Sequence, residues 1–426
     1  MASDDLDRAI VTYRSFGAAF DRPAAGPASP RALESGRDPA ADAALQAELS
    51  AALAALEEET LKQGPGVLAT VQSQLASLIQ SRMLEDPPGD PQKLTAPPGA
   101  SPFEVKFDEH DIFGWVGSVL TWWKQIRKEP WLTPSDTPEP IGNGRSMRLA
   151  MVADWGTGLY GAPVCSASID ADPRSFDLLL HLGDIYYSGT RTEVRSRFLD
   201  RWPSRAGAIS RACNANHEMY TGGEGYFRDV LPAFGQPASY FALQNDHWLL
   251  VGLDSAYEDH DLAGAQADWL GRIVANAGGR RLVLFSHHQP FSLLDKQGPK
   301  LVGKLGALLA DRKIFAWYWG HEHRCVLYDA HPAWGLLGRC VGHGGYPYFR
   351  DDFSHLPTSD APYWRRMEAR NLVPGAVLLD APNPFVEENP ERYGANGYVT
   401  LEFDEQRLNE VIHDADGRIL RERQLA

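Results

Sequence analysis

Residues 147–156 read MRLAMVADWG and residues 176–187 read FDLLLHLGDIYY. Each is a short apolar run that stops at a carboxylate, Asp154 in the first and Asp184 in the second. An apolar run of about four to eight residues bounded by turn residues suits a strand covered on both faces, as in an α/β fold. Four further runs repeat the design: AISRACNANHE, HWLLVGLD, RLVLFSHH and FAWYWGHEH. Nearly all end in side chains that bind metals, and glycine-rich turns and helical patterns separate them. In an open α/β sheet ligands bind outside the carboxyl ends of the strands, so these ends are expected to meet at one site.

The spacing agrees. Three of the four gaps between Asp154, Asp184, Asn216, His288 and His321 are close to the ~30 residues of one strand–helix–strand unit. The longer gap, Asn216 to His288, contains HWLLVGLD and spans about two such units. Near the carboxyl end, GYVTLEFDEQRLNEVIHDADGRILRER alternates apolar and polar residues around Asp416-Gly417, which predicts closing β-hairpin strands.

Upstream of Met147 the character differs. Leu45, Leu49, Leu53 and Leu56 recur at helical spacing, Gly64-Pro65-Gly66 interrupts, and Val67, Val71, Leu75, Leu78 and Ile79 resume it, so residues 1–84 are expected to form a helical hairpin. Residues 85–102 form a proline-rich linker. Within 103–146, Ile112, Trp115, Val116, Val119, Trp122, Trp123 and Ile126 line one side of an amphipathic helix, followed by a second proline-rich stretch. The apolar part of that helix is too short to span a bilayer. It is expected to pack on the next domain, or else to bind a protein partner or membrane surface. Residues 147–426 then make one α/β domain.

At 426 residues, with 43% hydrophobic and 23% charged, the chain has the composition of a folded protein of more than one domain, which excludes a fibrous or wholly disordered one. A net charge of −15 repels phosphate backbones and disfavours nucleic acid as the main partner. The opening MASDDLDRAIVTYRSF has no basic region followed by an apolar one, and the four cysteines show no CxxC pair. Both features point to a cytoplasmic protein with reduced, buried thiols.

Five blocks carry the chemistry: Asp154-Trp-Gly, Gly183-Asp-Ile-Tyr-Tyr187, Asn216-His-Glu218, His288-Gln-Pro290 and Gly320-His-Glu-His323. Carboxylates, an amide oxygen and imidazoles together supply the mixed O and N ligands that iron, zinc and manganese accept. The blocks resemble those of the calcineurin-like metallophosphoesterase superfamily, most closely its purple acid phosphatase branch, because Gly156 stands where other branches carry histidine. The resemblance implies a β-sandwich flanked by helices, with the amino-terminal helices as an appendage.

It also implies two metal ions. Asp154, Asp184, Tyr187 and His323 would hold the first, and Asp184, Asn216, His288 and His321 the second. Iron paired with zinc or manganese is expected for a phenolate-bearing site, with Mn/Mn or Zn/Zn as alternatives. The implied reaction is hydrolysis of a small phosphomonoester or phosphodiester through a metal-bound hydroxide. His217 would assist the transition state and leaving group, and Glu218 would orient it. Two choices stay open in the residues themselves. Tyr186 adjoins Tyr187, and His287 adjoins His288, while successive side chains at a strand end face opposite ways. His287 and His343 are candidates for the substrate pocket, as is the glycine-rich stretch Met219–Phe227. Ala215 stands where the family usually has glycine.

Overall fold

The computed structural model describes residues 73–85 and 123–426, except 347, 351, 352, 360 and 387–389, with scattered helical positions between 51 and 62. The chain divides into two compact units, Met1–Ile126 and Arg127–Ala426. In the first, Gln74–Glu85 is a helix in which Leu75, Leu78 and Ile79 are buried. Glu85, expected to open the linker of residues 85–102, instead ends this helix. The turn at Gly64-Pro65-Gly66, the rest of that linker and nearly all of the tryptophan-bearing helix lie outside the described residues, as does any partner surface they form.

The second unit contains the strands β1 (Glu139–Pro140), β2 (Ser146–Val152), β3 (Leu178–His181), β4 (Ile209–Ala212), β5 (Phe241–Gln244), β6 (Trp248–Gly252), β7 (Arg281–Ser286), β8 (Ile314–Trp319), β9 (Cys325–Ala330), β10 (Leu337–Val341), β11 (Trp364–Met367), β12 (Ala376–Leu379), β13 (Gly397–Asp404), β14 (Arg407–Asp414) and β15 (Ile419–Gln424). Among the described residues they build two sheets. One runs β15-β14-β13-β2-β3-β4, and the other β1-β5-β6-β7-β8-β10-β9-β12-β11. Strands β2, β3 and β4 are mutually parallel, and so are β6, β7 and β8.

The two sheets face each other. Alternate residues from both, among them Leu149, Met151, Leu180, Leu250, Val283, Phe285 and Tyr318, share one buried cluster. The intervening residues point outward to helices: Leu249, Val251 and Leu284 pack with Trp269 and Leu270 of the helix Gln266–Ala275, and Ala150 and Leu179 with Cys165 and Ile169 of the helix Gly161–Ala171. Both faces of the central strands are therefore covered, which is why they read as continuous apolar runs. Truncating fully buried Leu250 to alanine would cost about 2–5 kcal/mol.

The expected fold class, an α/β sandwich flanked by helices, is the one observed. The carboxyl-terminal hairpin turns at Asp416-Gly417, where Gly417 adopts φ 92°, and β13 pairs antiparallel with β2. All four cysteines are buried and free. No helix among the described residues is long and apolar enough to cross a membrane.

Candidate metal centre

The carboxyl ends of five parallel strands converge from both sheets. Asp154, Asp184 and Asn216 follow β2, β3 and β4 of the six-stranded sheet, while His287 follows β7 and His321 and His323 follow β8 of the nine-stranded one. Four of these residues adopt left-handed backbone: Asp154 (φ 55°), Asp184 (72°), His321 (67°) and His323 (54°). Such conformations cost of order 1–3 kcal/mol in non-glycine residues and concentrate at functional sites. Room for the first carboxylate comes from glycine, since a Cβ on Gly320 would lie 2.6 Å from Asp154 Oδ2.

Three groups of donor atoms result: Asp154, Asp184 and His323; Asp184, His287 and His321; and His260, His288 and His321, with the atoms of each group within 4.8 Å of one another. Asp184 is common to the first two and His321 to the last two. Its Oδ2 accepts the Tyr186 hydroxyl at 3.2 Å, and its Oδ1 lies 3.3 Å from His287 Nε2. The same Tyr186 hydroxyl is hydrogen-bonded to His323 Nε2. Asp154 Oδ1 accepts the His321 backbone N–H at 3.0 Å, whereas Asp154 Oδ2 is buried with no hydrogen-bond partner.

The electrostatics are those of a cation site. Burial and the neighbouring Asp184 carboxylate push Asp154 well above the usual carboxylate range. Burial acts on Asp184 in the same direction, but the imidazoles of His287, His217, His323 and His321 outweigh it and hold that carboxyl well below. Two buried carboxylates so close cannot both ionise cheaply unless positive charge lies between them. His287 sharpens the point. Its Nδ1 faces the Leu182 carbonyl at 2.9 Å, and a carbonyl only accepts, so Nδ1 carries the proton. Burial first of all pushes the ring down to about 4, so it is neutral near pH 7 and Nε2 presents a lone pair. That lone pair meets Asn216 Oδ1 at 2.9 Å, and the Asn216 amide nitrogen is taken up by Tyr220 at 3.2 Å. His321 Nδ1 lies 3.2 Å from the same Nε2, so nitrogen and oxygen ligand atoms crowd one point.

Tyr186, rather than Tyr187, meets Asp184. The backbone N–H of Tyr187 donates to Glu193 Oε1 at 2.7 Å and its ring lies under the Arg197 guanidinium, 5.3 Å away, so this side chain is drawn to the opposite side of the chain. Burial and Asp184 push the Tyr186 phenol well up, a shift that a bound cation would reverse. His287 and His288 face different partners: His288 Nδ1 meets the Ser255 carbonyl at 2.8 Å, its Nε2 is buried with no hydrogen-bond partner, and its ring lies 3.8 Å from that of His260, with which and His321 it forms the third donor group.

His217 is buried beside Tyr186, the ring centroids 4.1 Å apart, and its Nδ1 donates to the Tyr187 carbonyl at 2.6 Å. That carbonyl, not Glu218, orients it. The Glu218 carboxylate is fully buried with neither oxygen hydrogen-bonded, and burial together with the nearby Asp184 pushes it well above the usual carboxylate range. His343 is wholly buried, contacts the Val341 carbonyl through Nδ1 at 3.1 Å, and joins none of the donor groups. The stretch Met219–Phe227 also turns inward, with Tyr226 and Phe227 in the core and only Tyr220 reaching the centre. Ala215 is extended (φ −135°), so it needs no glycine. Its Cβ fills the space a side chain at Gly183 would need.

Residues 147–325 match the family model described as calcineurin-like phosphoesterase. This segment, which contains every residue of the three donor groups, is of the class its blocks resemble. Among solved structures the chain is similar to the purple acid phosphatase PPD1 from seeds of yellow lupin (Lupinus luteus), at 15% identity and TM-score 0.47, covering 69% of this chain and 55% of that one. It thus spans little more than half of the lupin protein. It is similar to PhoD at 11% identity and TM-score 0.40, covering 67% and 70%, and to Vps29 of Entamoeba histolytica at 10% and 0.29, covering 65% and 98%. No curated protein matches the chain in sequence.

Proposed function

We propose that the chain is a binuclear metal-dependent phosphoesterase acting on small phosphomonoesters or phosphodiesters. The observation that carries this reading is Asp184, shared between two groups of buried donors. We assign Asp154, Asp184, Tyr186 and His323 to one cation and Asp184, Asn216, His287 and His321 to the other. Bound there, the pair of cations would supply Lewis acidity toward the phosphoryl oxygens and lower the pKa of water. A shared carboxylate suits two cations held ~3.5–4 Å apart.

The chain's own residues do the rest. The Tyr187 carbonyl holds His217 Nδ1–H, which leaves Nε2 for the substrate's leaving oxygen. Burial lowers the pKa of His217, so its imidazolium gives up a proton readily as that oxygen departs. A net charge of −15 favours a small substrate over a nucleic acid, and four unpaired thiols favour a reducing compartment such as the cytoplasm.

The test is a purified-protein assay with nitrophenyl phosphate and its bis-ester in the presence of manganese, iron or zinc, alongside elemental analysis. Two bound metals per chain with turnover of either ester support the proposal. Two bound metals with turnover of neither would sink the hydrolase reading.

A further inference from the structure

Apart from the donor groups, the sandwich holds a cavity of about 460 Å³ lined by β9, β10, β11 and β12 of one sheet and β14 and β15 of the other. It shares no residue with any donor group. Its walls carry four arginines, Arg339, Arg366, Arg421 and Arg423, against two acids, Asp329 and Glu410. This excess of positive charge lies in a chain whose net charge is −15.

The acids are already engaged. Glu410 accepts from Arg339 Nε at 2.9 Å and from the Tyr318 hydroxyl at 2.6 Å, and Asp329 pairs with Arg366. Arg421 and Arg423 stand two apart on the edge strand β15, so their side chains share the face that looks into the cavity. Arg421 lies over the ring of buried Trp364 at 5.3 Å, which fixes its plane, and its Nη1 is buried with no hydrogen-bond partner. Arg423 has no ion pair or side-chain hydrogen bond among the described residues, although it sits opposite Glu410 in the strand register. A buried guanidinium N–H without an acceptor is costly, and a planar, pre-oriented guanidinium is the group best matched to an oxyanion. Thr358 and Ser359 bring hydroxyls to the same wall.

We propose that this cavity binds a small oxyanion carrying two or more negative charges, of the pyrophosphate or polycarboxylate kind, held by Arg421 and Arg423. A volume of this size accommodates a small molecule rather than a single water or ion. The inference stands independently of the hydrolytic reading.

Calorimetric titration of the full chain with pyrophosphate and, separately, with citrate tests it, and the probe that binds identifies the oxyanion. Binding of either, kept in Asp184→Asn and weakened at least tenfold in Arg421→Met/Arg423→Met, is the expected result. Should the double variant fold poorly, Arg423→Glu, on an exposed edge strand, gives the same readout. Binding of neither anion overturns the proposal. So does binding that Asp184→Asn abolishes, or that the arginine variants leave unchanged.

Discussion

Nε2 of His287 and Oδ1 of Asn216 are 2.9 Å apart, although each atom faces the other with a lone pair. The Leu182 carbonyl fixes the histidine tautomer, and the Asn216 amide nitrogen donates to the Tyr220 hydroxyl at 3.2 Å. A buried contact between two acceptors persists where a third, positive partner suits both. Replacing His287 with alanine is therefore expected to lower metal affinity of the second position by about 100-fold or more, whereas His288→Ala, which removes a donor grouped with His260 and His321 and not with Asp184, should cost less, about tenfold. Metal titration followed by elemental analysis compares them, and a larger loss at His288 would restore the ligand order expected from sequence.

The two tyrosines separate in the same way. If ferric iron occupies the first position, a visible phenolate band should vanish in Tyr186→Phe and survive in Tyr187→Phe. Absorption spectra of the iron-loaded variants decide this, and a band lost only with Tyr187 would contradict the assignment made here.

His217 touches none of the donor groups through its ligating atoms but faces the space beside Asp184. His217→Asn should keep both metals and lose on the order of 100-fold or more in kcat, with the loss smallest for substrates with good leaving groups. Glu218→Gln should instead leave turnover close to the parent's and change metal affinity, because it removes a buried carboxyl that acts electrostatically on Asp184. Paired measurements of metal content and turnover distinguish a proton donor from an electrostatic neighbour.

Acid sensitivity should come in part from two buried histidines that belong to none of the donor groups. Burial pushes His181 down to about 3 and His343 down to about 4. His181 sits among Trp155, Phe198 and Trp202 with neither ring nitrogen hydrogen-bonded. Both are neutral in the folded chain, while the unfolded chain binds protons below about pH 6.5. Their contribution is therefore complete above that pH and declines as pH falls toward their folded values, by roughly a few kcal/mol in total. Urea midpoints of His181→Phe should fall less steeply than those of the parent between about pH 6.5 and 4.5. Parallel slopes would remove His181 from the account.

The strand ends were legible because doubly covered strands must be apolar until they reach the site, so RLVLFSHH and FAWYWGHEH announce both element and boundary. The donor types followed from the same blocks. What the letters could not show was rotation about the chain. Tyr186 and Tyr187 are equally apolar, equally buried and one residue apart, and the choice between them is made by Glu193 and Arg197 on another segment. His287 and His288 are sorted likewise, by the carbonyls of Leu182 and Ser255. Strands β9 to β12 escaped notice because none ends in one of the five blocks.

The centre draws its carboxylates and amide from one sheet and its imidazoles from the other. Cations seated there would rivet the two halves of the sandwich across their shared rim, so loading would be felt as resistance to prying the sheets apart. Stripping them should then lower the melting temperature of the whole Arg127–Ala426 body rather than loosen a single loop.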